Sequence, residues 1–377
     1  MIAPPSTRTT ATAELLWRAC RADPDAAQVR EALDAGADAD LAADTAIDQR
    51  AGPLLWRALG LVGRRDALTS AAATLAQEAG LRRAQALTLL PHAVELAIGP
   101  LRAAGFEPLV FKGPALLGRY PEPGLRPMDD IDVLLPARQH QEGLRILGRA
   151  GWRLVRQRPG QDHHESLLVH AELPALPLEL HFALGSWRDR TTSLTSDELW
   201  RRRVPGDLLG SPGWGLPPEI ELLALANHAG KPFHHYDRLI WATDLAVVIA
   251  STAGDGGLDW EAVADGARRW HCRTTLAVGL AQVARLGVET PSGLRTLAVQ
   301  PTQRTALAPV LSVEWPLVER DDGLRQRLRY ALTDNRAQQA VILAGQATTG
   351  PWWQAPGRLA GLVGRAGRRW WQLRRNR

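Results

Sequence analysis

The sequence is poor in cysteine and has no long apolar run. Cys20 and Cys272 are its two cysteines, too few and too far apart to indicate a disulfide framework. The most apolar stretch, LIWATDLAVVIA, carries Asp244 and is shorter than the ~18 apolar residues that indicate a membrane-spanning helix. The first residues, MIAPPSTRTTATAELLW, lack the basic start and apolar centre of a signal peptide. We therefore expect a cytoplasmic protein without a transmembrane segment.

Lysine is almost absent as well. Lys112 and Lys231 are the two lysines among 45 basic residues, and all the others are arginine. An ammonium is a compact point charge, whereas a guanidinium is a wide planar fork. A lysine that persists in such a sequence indicates a place where the compact charge is needed.

The positive charge is concentrated near the C-terminal end. Residues 350–377 contain seven arginines and no acidic residue, which exceeds the net charge of +5 for the whole chain. The rest is close to neutral, so the sequence does not indicate a general nucleic-acid-binding protein. Residues 336–377, with Trp370 and Trp371, form a basic Arg/Trp-rich tail that suits an anionic partner, although a solvated terminus is the commoner case.

The chain divides into four parts by its apolar patterns. Residues 1–104 and 191–335 have the apolar periodicity of helices, and GSPGWGLPP, residues 210–218, is interpreted as a linker. Between them, residues 105–190 alternate strand and helix patterns, with strand candidates at EPLVF, DIDVLL, WRLVRQ, ESLLVH and PLELHF. The predicted fold class is α/β, a mixed sheet flanked by N-terminal and C-terminal helical regions and followed by the basic tail.

The most informative stretch is GLRPMDDIDVLLP, which begins at Gly124. Alternate residues of a strand point to the same side, with Cα atoms about 6.5–7 Å apart, so Asp130 and Asp132 share one face of the predicted strand. Paired carboxylates beside a buried strand are costly without a neutralising cation. A hard divalent ion, Mg²⁺ or Mn²⁺, suits these oxygen ligands. The other two Asp-x-Asp sequences, at Asp23 and Asp38, lie in loop-like contexts and are not interpreted as functional.

A third carboxylate follows in PLELHF, where Glu179 and His181 share one face of another predicted strand. If this strand lies beside DIDVLL, then Asp130, Asp132 and Glu179 form a triad. Such a triad can hold two metal ions, which bind a triphosphate and activate an attacking hydroxyl.

The segment LVFKGPALLGRY supplies groups that suit an anion. Gly113 allows close approach of the backbone, and a helix that starts at Pro114 presents free N–H groups to a phosphate. Lys112 precedes this turn, and Arg126 can add a fork of donors to the same anion. We therefore assign Lys112, Gly113 and Arg126 to phosphate or nucleotide binding.

The motifs FKGPALLGRYPEPGLRPMDDIDVLLP and PLELHF, followed by a helical segment with His228 and Asp244, resemble the bacterial uncharacterised nucleotidyltransferase family. That family belongs to the polymerase-beta-like nucleotidyltransferase superfamily. The resemblance covers roughly residues 50–290 and is clearest over residues 107–185. One difference is the Lys-Gly pair at the phosphate turn, where the superfamily usually has Gly-Ser or Gly-Gly.

The resemblance implies a nucleotidyltransferase-type core and a metal-dependent reaction. A nucleoside monophosphate would pass from an NTP to an acceptor, with release of pyrophosphate. By position, Asp130 and Asp132 would be metal ligands, and Glu179 would be a ligand or the base for the acceptor hydroxyl. The acceptor is open, with a peptide or small metabolite of a biosynthetic pathway as candidates.

His181, His228 and Asp244 are candidates for the substrate pocket. The helical segment that contains His228 and Asp244 is expected to close over the active site. For Asp244 the sequence leaves a second interpretation open, in which it pairs with an arginine such as Arg238 or caps a neighbouring helix.

Two other functions fit the same residues. A kinase-like phosphotransferase would use the cluster to transfer the γ-phosphate alone and would leave a nucleoside diphosphate. A degenerate, non-catalytic adaptor would bind a peptide or protein partner. The Lys-Gly turn favours the adaptor, whereas the intact carboxylates of Asp130, Asp132 and Glu179 favour an enzyme.

Overall fold

A computed structural model of the chain describes residues 6–157, 165–184, 192–231, 234–295, 301–334 and 339. The N-terminal part is helical, as predicted, and its helices are α1 (Thr7–Ala19), α2 (Ala26–Asp34), α3 (Ala39–Asp48), α4 (Gly52–Leu61), α5 (Ala72–Ala84) and α6 (Leu90–Ala103). The two Asp-x-Asp sequences in this part have structural roles. Asp25 caps α2 and Asp38 caps α3, because each side chain accepts hydrogen bonds from backbone N–H groups of the first turn.

The centre of the described chain is a mixed sheet of seven strands in the order β3-β4-β5-β2-β1-β7-β6. The strands are β1 (Leu109–Val110), β2 (Ile131–Leu134), β3 (Trp152–Gln157), β4 (Glu165–His170), β5 (Leu178–His181), β6 (Val204–Leu208) and β7 (Ser211–Gly215). The pairs β2–β5 and β1–β7 are parallel, and the others are antiparallel. Three α-helices of the described chain lie between strands, α7 (Gly113–Leu116), α8 (Ala137–Arg149) and α9 (Ser196–Arg201). The predicted α/β class with flanking helices is confirmed.

The interpretation of residues 210–218 as a linker is wrong, because most of this segment forms β7. Leu209 and Gly210 both have positive φ and form the two-residue turn of a β6–β7 hairpin. Trp214 pairs with Leu109 of β1. The sequence SPGWG has little intrinsic strand propensity. The strand is therefore recognised from its pairing with β1 and β6. The division of the chain into four parts stays a prediction.

Helices follow the sheet in the described C-terminal part. They are α10 (Pro218–Ala229), α11 (Leu239–Ser251), α12 (Trp260–Arg269), α13 (Arg273–Arg285), α14 (Ser292–Arg295), α15 (Pro301–Leu307) and α16 (Asp322–Ala331). The apolar run of the sequence is α11, which is buried on all sides from Leu239 to Ile249. Of the helices that the structure describes, none has the length and apolar character needed to cross a membrane. The predicted basic tail lies outside the described residues, apart from Gln339.

The two faces of the sheet have different neighbours. Ile131 and Val133 of β2 pack in a core with α6 and with Leu178 and Leu180 of β5. The residues between them point to the opposite face, where a second core joins the N-terminal helices to α10 and α11. This alternation leaves Asp132 and Glu179 on the face that α10 and α11 cover.

Candidate active site

Two neighbouring strands place acidic side chains side by side. Asp132 of β2 is the register partner of Glu179 of β5, and parallel register partners present their side chains on one face. The predicted adjacency of the DIDVLL and PLELHF strands is confirmed. In the described part of the chain, ligand atoms of Asp132, Glu179 and His181 lie within 4.8 Å of one another.

Asp132 is the centre of this group and is buried. Its Oδ1 atom accepts hydrogen bonds from Lys112 Nζ at 2.6 Å and from His181 Nε2 at 2.8 Å. Burial disfavours the ionised carboxylate, but the charge of Lys112 and the hydrogen bond from His181 outweigh it and lower the pKa of Asp132. Asp132 is therefore an ionised carboxylate at neutral pH.

His181 contacts the acidic group from the end of β5. Its Nε2 atom also lies 3.4 Å from Glu179 Oε2, and its Nδ1 atom lies 3.6 Å from Glu165 Oε2. Burial and Lys112 lower the pKa of His181, but its hydrogen bonds to Asp132 and Glu179 outweigh them, so the pKa is raised. The sequence predicted His181 as a pocket residue, and in the structure it lies among the acidic side chains of Asp132, Glu165 and Glu179.

Lys112 brings its ammonium into this group from an unusual backbone conformation. Its φ of 57° and ψ of −127° lie outside the common regions for a residue with a Cβ atom. Burial lowers the pKa of Lys112, but Asp132, Glu179 and Asp130 outweigh this effect and raise it. A costly backbone geometry at such a residue is a frequent property of functional sites.

The three aspartates of the GLRPMDDIDVLLP stretch have different surroundings. Asp129 forms ion pairs with Arg50 at 2.6 Å and Arg82 at 3.1 Å, at the edge of the cavity that Asp132 lines. Asp130 lines the same cavity as Asp132. Burial and the neighbouring Asp132 raise the pKa of Asp130 to about 7, against the opposing effect of Lys112. Burial, which favours the uncharged form of the carboxyl, is the largest cause of this shift.

Arg126 and Asp244, predicted to bind phosphate and substrate respectively, lie against each other. Arg126 Nε donates to Asp244 Oδ1 at 2.8 Å and Nη2 donates to Oδ2 at 2.9 Å. Tyr120 Oη donates to the same Oδ1 at 2.7 Å. The interpretation that Asp244 pairs with an arginine therefore describes the structure, with Arg126 rather than Arg238 as the partner.

Gly113 follows Lys112 and is buried. A Cβ atom at this position would lie 2.4 Å from Met128 Sδ and 2.9 Å from Arg126 Nη1. Both distances are too short for a real contact, so a side chain here would have to displace the side chain of Met128 or Arg126. The short helix α7 begins at this glycine.

The opposite wall of the site comes from α10, α11 and the loop between them. His228, His234 and Trp241 form an aromatic cluster with ring centroids 4.6–5.5 Å apart. Burial lowers the pKa of His228 well below its usual value, and Lys112 lowers it further. The ring of His228 is therefore uncharged at neutral pH.

Lys231 belongs to this wall and was not assigned to the site from the sequence. Its Nζ atom donates to Leu184 O, and among the described residues it has no carboxylate partner within 4.0 Å. Burial and the charge of Lys112 lower the pKa of Lys231 to about 8. The rarity of lysine in the sequence was the available signal, because both lysines line the same cavity.

These groups enclose a cavity of about 390 Å³ between the sheet and the helices, within the usual range of ligand sites. Its sheet side carries the carboxylates of Asp130, Asp132, Glu165 and Glu179. Its helical side carries His228, Lys231, His234, Arg238 and Trp241. A cavity with carboxylates on one wall and basic and aromatic side chains on the other suits a ligand that combines a cation, an anion and a ring.

Comparison with protein families adds a finding that is independent of this geometry. A family model described as "Uncharacterised nucleotidyltransferase" matches residues 35–287, which is more than half of the chain. The match includes β2, β5 and both helices that cover the site. No curated protein and no solved structure matches the chain.

Proposed function

The chain belongs to the uncharacterised nucleotidyltransferase family, and from this premise we propose that it transfers a nucleoside monophosphate from an NTP to an acceptor and releases pyrophosphate. The observation that carries the proposal is the register of β2 and β5, which sets Asp132 beside Glu179 in a cavity that also holds Lys112. The acceptor enters as an unidentified hydroxyl-bearing molecule, with a peptide or small metabolite as candidates.

The cluster of three carboxylates suits a divalent cation. Asp130, Asp132 and Glu179 face one cavity, and Lys112 donates to Asp132. Burial raises the pKa of Asp130, and the repulsion from Asp132 adds to this effect. We propose that these three carboxylates hold Mg²⁺ or Mn²⁺, in one or two sites. When bound, the metal supplies charge that stabilises the phosphates and lowers the pKa of an attacking hydroxyl. His181 holds Asp132 in position through its hydrogen bond to Oδ1.

The triphosphate needs basic groups on the other side of the cavity. Lys112 lies at the start of α7, next to the carboxylates, and Lys231 faces the same cavity from the α10–α11 loop. The three nitrogens of Arg126 contact Asp244, Pro127 and Met128. We therefore propose Lys112 and Lys231 as the phosphate contacts and give Arg126 the role of holding the segment before β2 against α11.

The aromatic cluster of the helical wall suits a ring. His228 is uncharged, and Trp241 presents a large apolar surface beside it. Stacking on such rings is tolerant of the identity of the base. We propose that this wall receives the nucleobase of the donor or a ring of the acceptor.

Products of slow hydrolysis test this proposal without a known acceptor. Concentrated protein with an NTP and Mn²⁺ would be followed by ³¹P NMR, with Asp132→Asn as the matched inactive control. We expect pyrophosphate and a nucleoside monophosphate, because water replaces the acceptor at the α-phosphorus. Formation of a nucleoside diphosphate would contradict nucleotidyl transfer and indicate a phosphotransferase. Absence of both turnover and metal-dependent NTP binding would indicate an adaptor.

A further inference from the structure

The ammonium of Lys112 occupies the carboxylate of Asp132, which a bound metal would also need as a ligand. Its Nζ atom is 2.6 Å from Asp132 Oδ1, and Asp130 and Glu179 are the next carboxylates that act on it. Both side chains of the Lys112–Asp132 pair are largely shielded from solvent. A divalent ion at Asp132 would therefore meet a nearby like charge that water does not screen.

The backbone holds Lys112 in this place at a cost. Its positive φ is a conformation that glycine adopts more easily, and the following Gly113 is fixed by close packing against Met128 and Arg126. In this conformation the ammonium forms the ion pair with Asp132. The lysine is thus part of how the site is built, and its side chain is aimed at the carboxylates.

The choice of lysine rather than arginine points to a charge that moves. Elsewhere the chain uses arginine almost without exception, and the carboxylates of Asp129 and Asp244 are held by arginines. A guanidinium makes a fixed two-pronged contact, whereas an ammonium on a flexible four-carbon stem can change partners. Lys112 can therefore leave Asp132 for another anion in the same cavity.

We propose that Lys112 is an internal counterion that keeps free divalent metal away from Asp132, and that metal and triphosphate enter the site together. The triphosphate supplies the anion to which the Lys112 ammonium moves, and this movement opens Asp132 to the metal. The inference rests on the proposed function, since it assigns the triphosphate as the second partner of Lys112. It makes the metal affinity of the protein dependent on the nucleotide.

The test is Mn²⁺ binding to the full chain, measured by EPR with and without a non-hydrolysable NTP analogue. Lys112→Met removes the charge and keeps an unbranched side chain, and Lys112→Arg keeps the charge as the matched control. Without nucleotide, we expect Lys112→Met to bind Mn²⁺ about tenfold or more tightly than wild type, because one unscreened like charge is gone. Lys112→Arg should stay as weak as wild type.

The nucleotide analogue should change the Mn²⁺ affinities of wild type and Lys112→Met by different amounts. Wild type should gain about tenfold or more in Mn²⁺ affinity, because the Lys112 ammonium then pairs with the triphosphate instead of Asp132. Lys112→Met should gain much less, and circular dichroism would establish that each variant is folded.

Equal Mn²⁺ affinity of wild type and Lys112→Met without nucleotide would overturn the inference, and so would the absence of Mn²⁺ binding in both. This comparison involves no NTP, so its failure is distinct from a failure of the proposed function. That second failure would appear as absence of nucleotide binding to wild type under every metal condition.

Discussion

Arg126 and Asp244 form a buried two-pronged ion pair across 118 positions of the chain. The pair ties the segment before β2 to α11, and Tyr120 adds a third contact to the same carboxylate. We therefore expect the position of the carboxylates at the start of β2 to depend on this pair, whose two residues also line the cavity.

Removing one partner of this pair should destabilise the protein strongly. We expect Arg126→Met to lower the free energy of unfolding by about 3–5 kcal/mol, because Asp244 is left as a buried charge without its cation. Urea denaturation would measure the change. The matched control is Arg8→Met, which breaks the exposed pair with Asp38 and should cost about 1 kcal/mol or less. Similar losses in the two variants would contradict the role assigned to Arg126.

A side chain at Gly113 should destabilise the protein moderately. Gly113→Ala is expected to lower the free energy of unfolding by about 1–3 kcal/mol, because the new methyl group overlaps buried Met128 and the held Arg126. Gly118 is the control, since a Cβ atom there has no neighbour within 4 Å. Thermal unfolding of the two alanine variants would decide the matter, and an unchanged melting temperature for Gly113→Ala would show that the packing yields.

Nucleotide affinity should fall in alkaline solution through Lys231. Burial lowers the pKa of Lys231 to about 8, so the ammonium is present below this value and is lost as the pH rises through it. A phosphate binds the charged form, and we expect the NTP dissociation constant to increase from about pH 7.5 to about pH 9. Binding to the variant Lys231→Arg, whose side chain stays charged in this range, should change little. An identical increase in both proteins would exclude Lys231 as the titrating contact.

The alternation of residues along two strands was enough to predict the centre of the site. Asp132 and Glu179 share one face because apolar residues at Ile131, Val133, Leu178 and Leu180 take the other, and this pattern is local in the sequence. The same reasoning gave the helical character of the flanking regions, because periodicity of apolar residues is also local.

Contacts between distant segments could not be predicted in the same way. Nothing near Arg126 indicates that its partner is Asp244, and nothing near Lys112 indicates that its ammonium reaches Asp132. The strand at Ser211–Gly215 exists through its pairing with β1 and β6 rather than through its own residues. Each of these features depends on how the sheet and α11 come together, which a single segment does not encode.

The most direct test of the account is calorimetric binding of each NTP, with and without Mg²⁺ or Mn²⁺, to wild type and to Asp132→Asn. Asparagine keeps the size of the side chain and removes the charge that pairs with Lys112. The account predicts metal-dependent binding of at least one NTP to wild type and its loss in Asp132→Asn. Absence of binding to wild type under every metal condition, or equal binding by the variant, would contradict a nucleotide site built on Asp132.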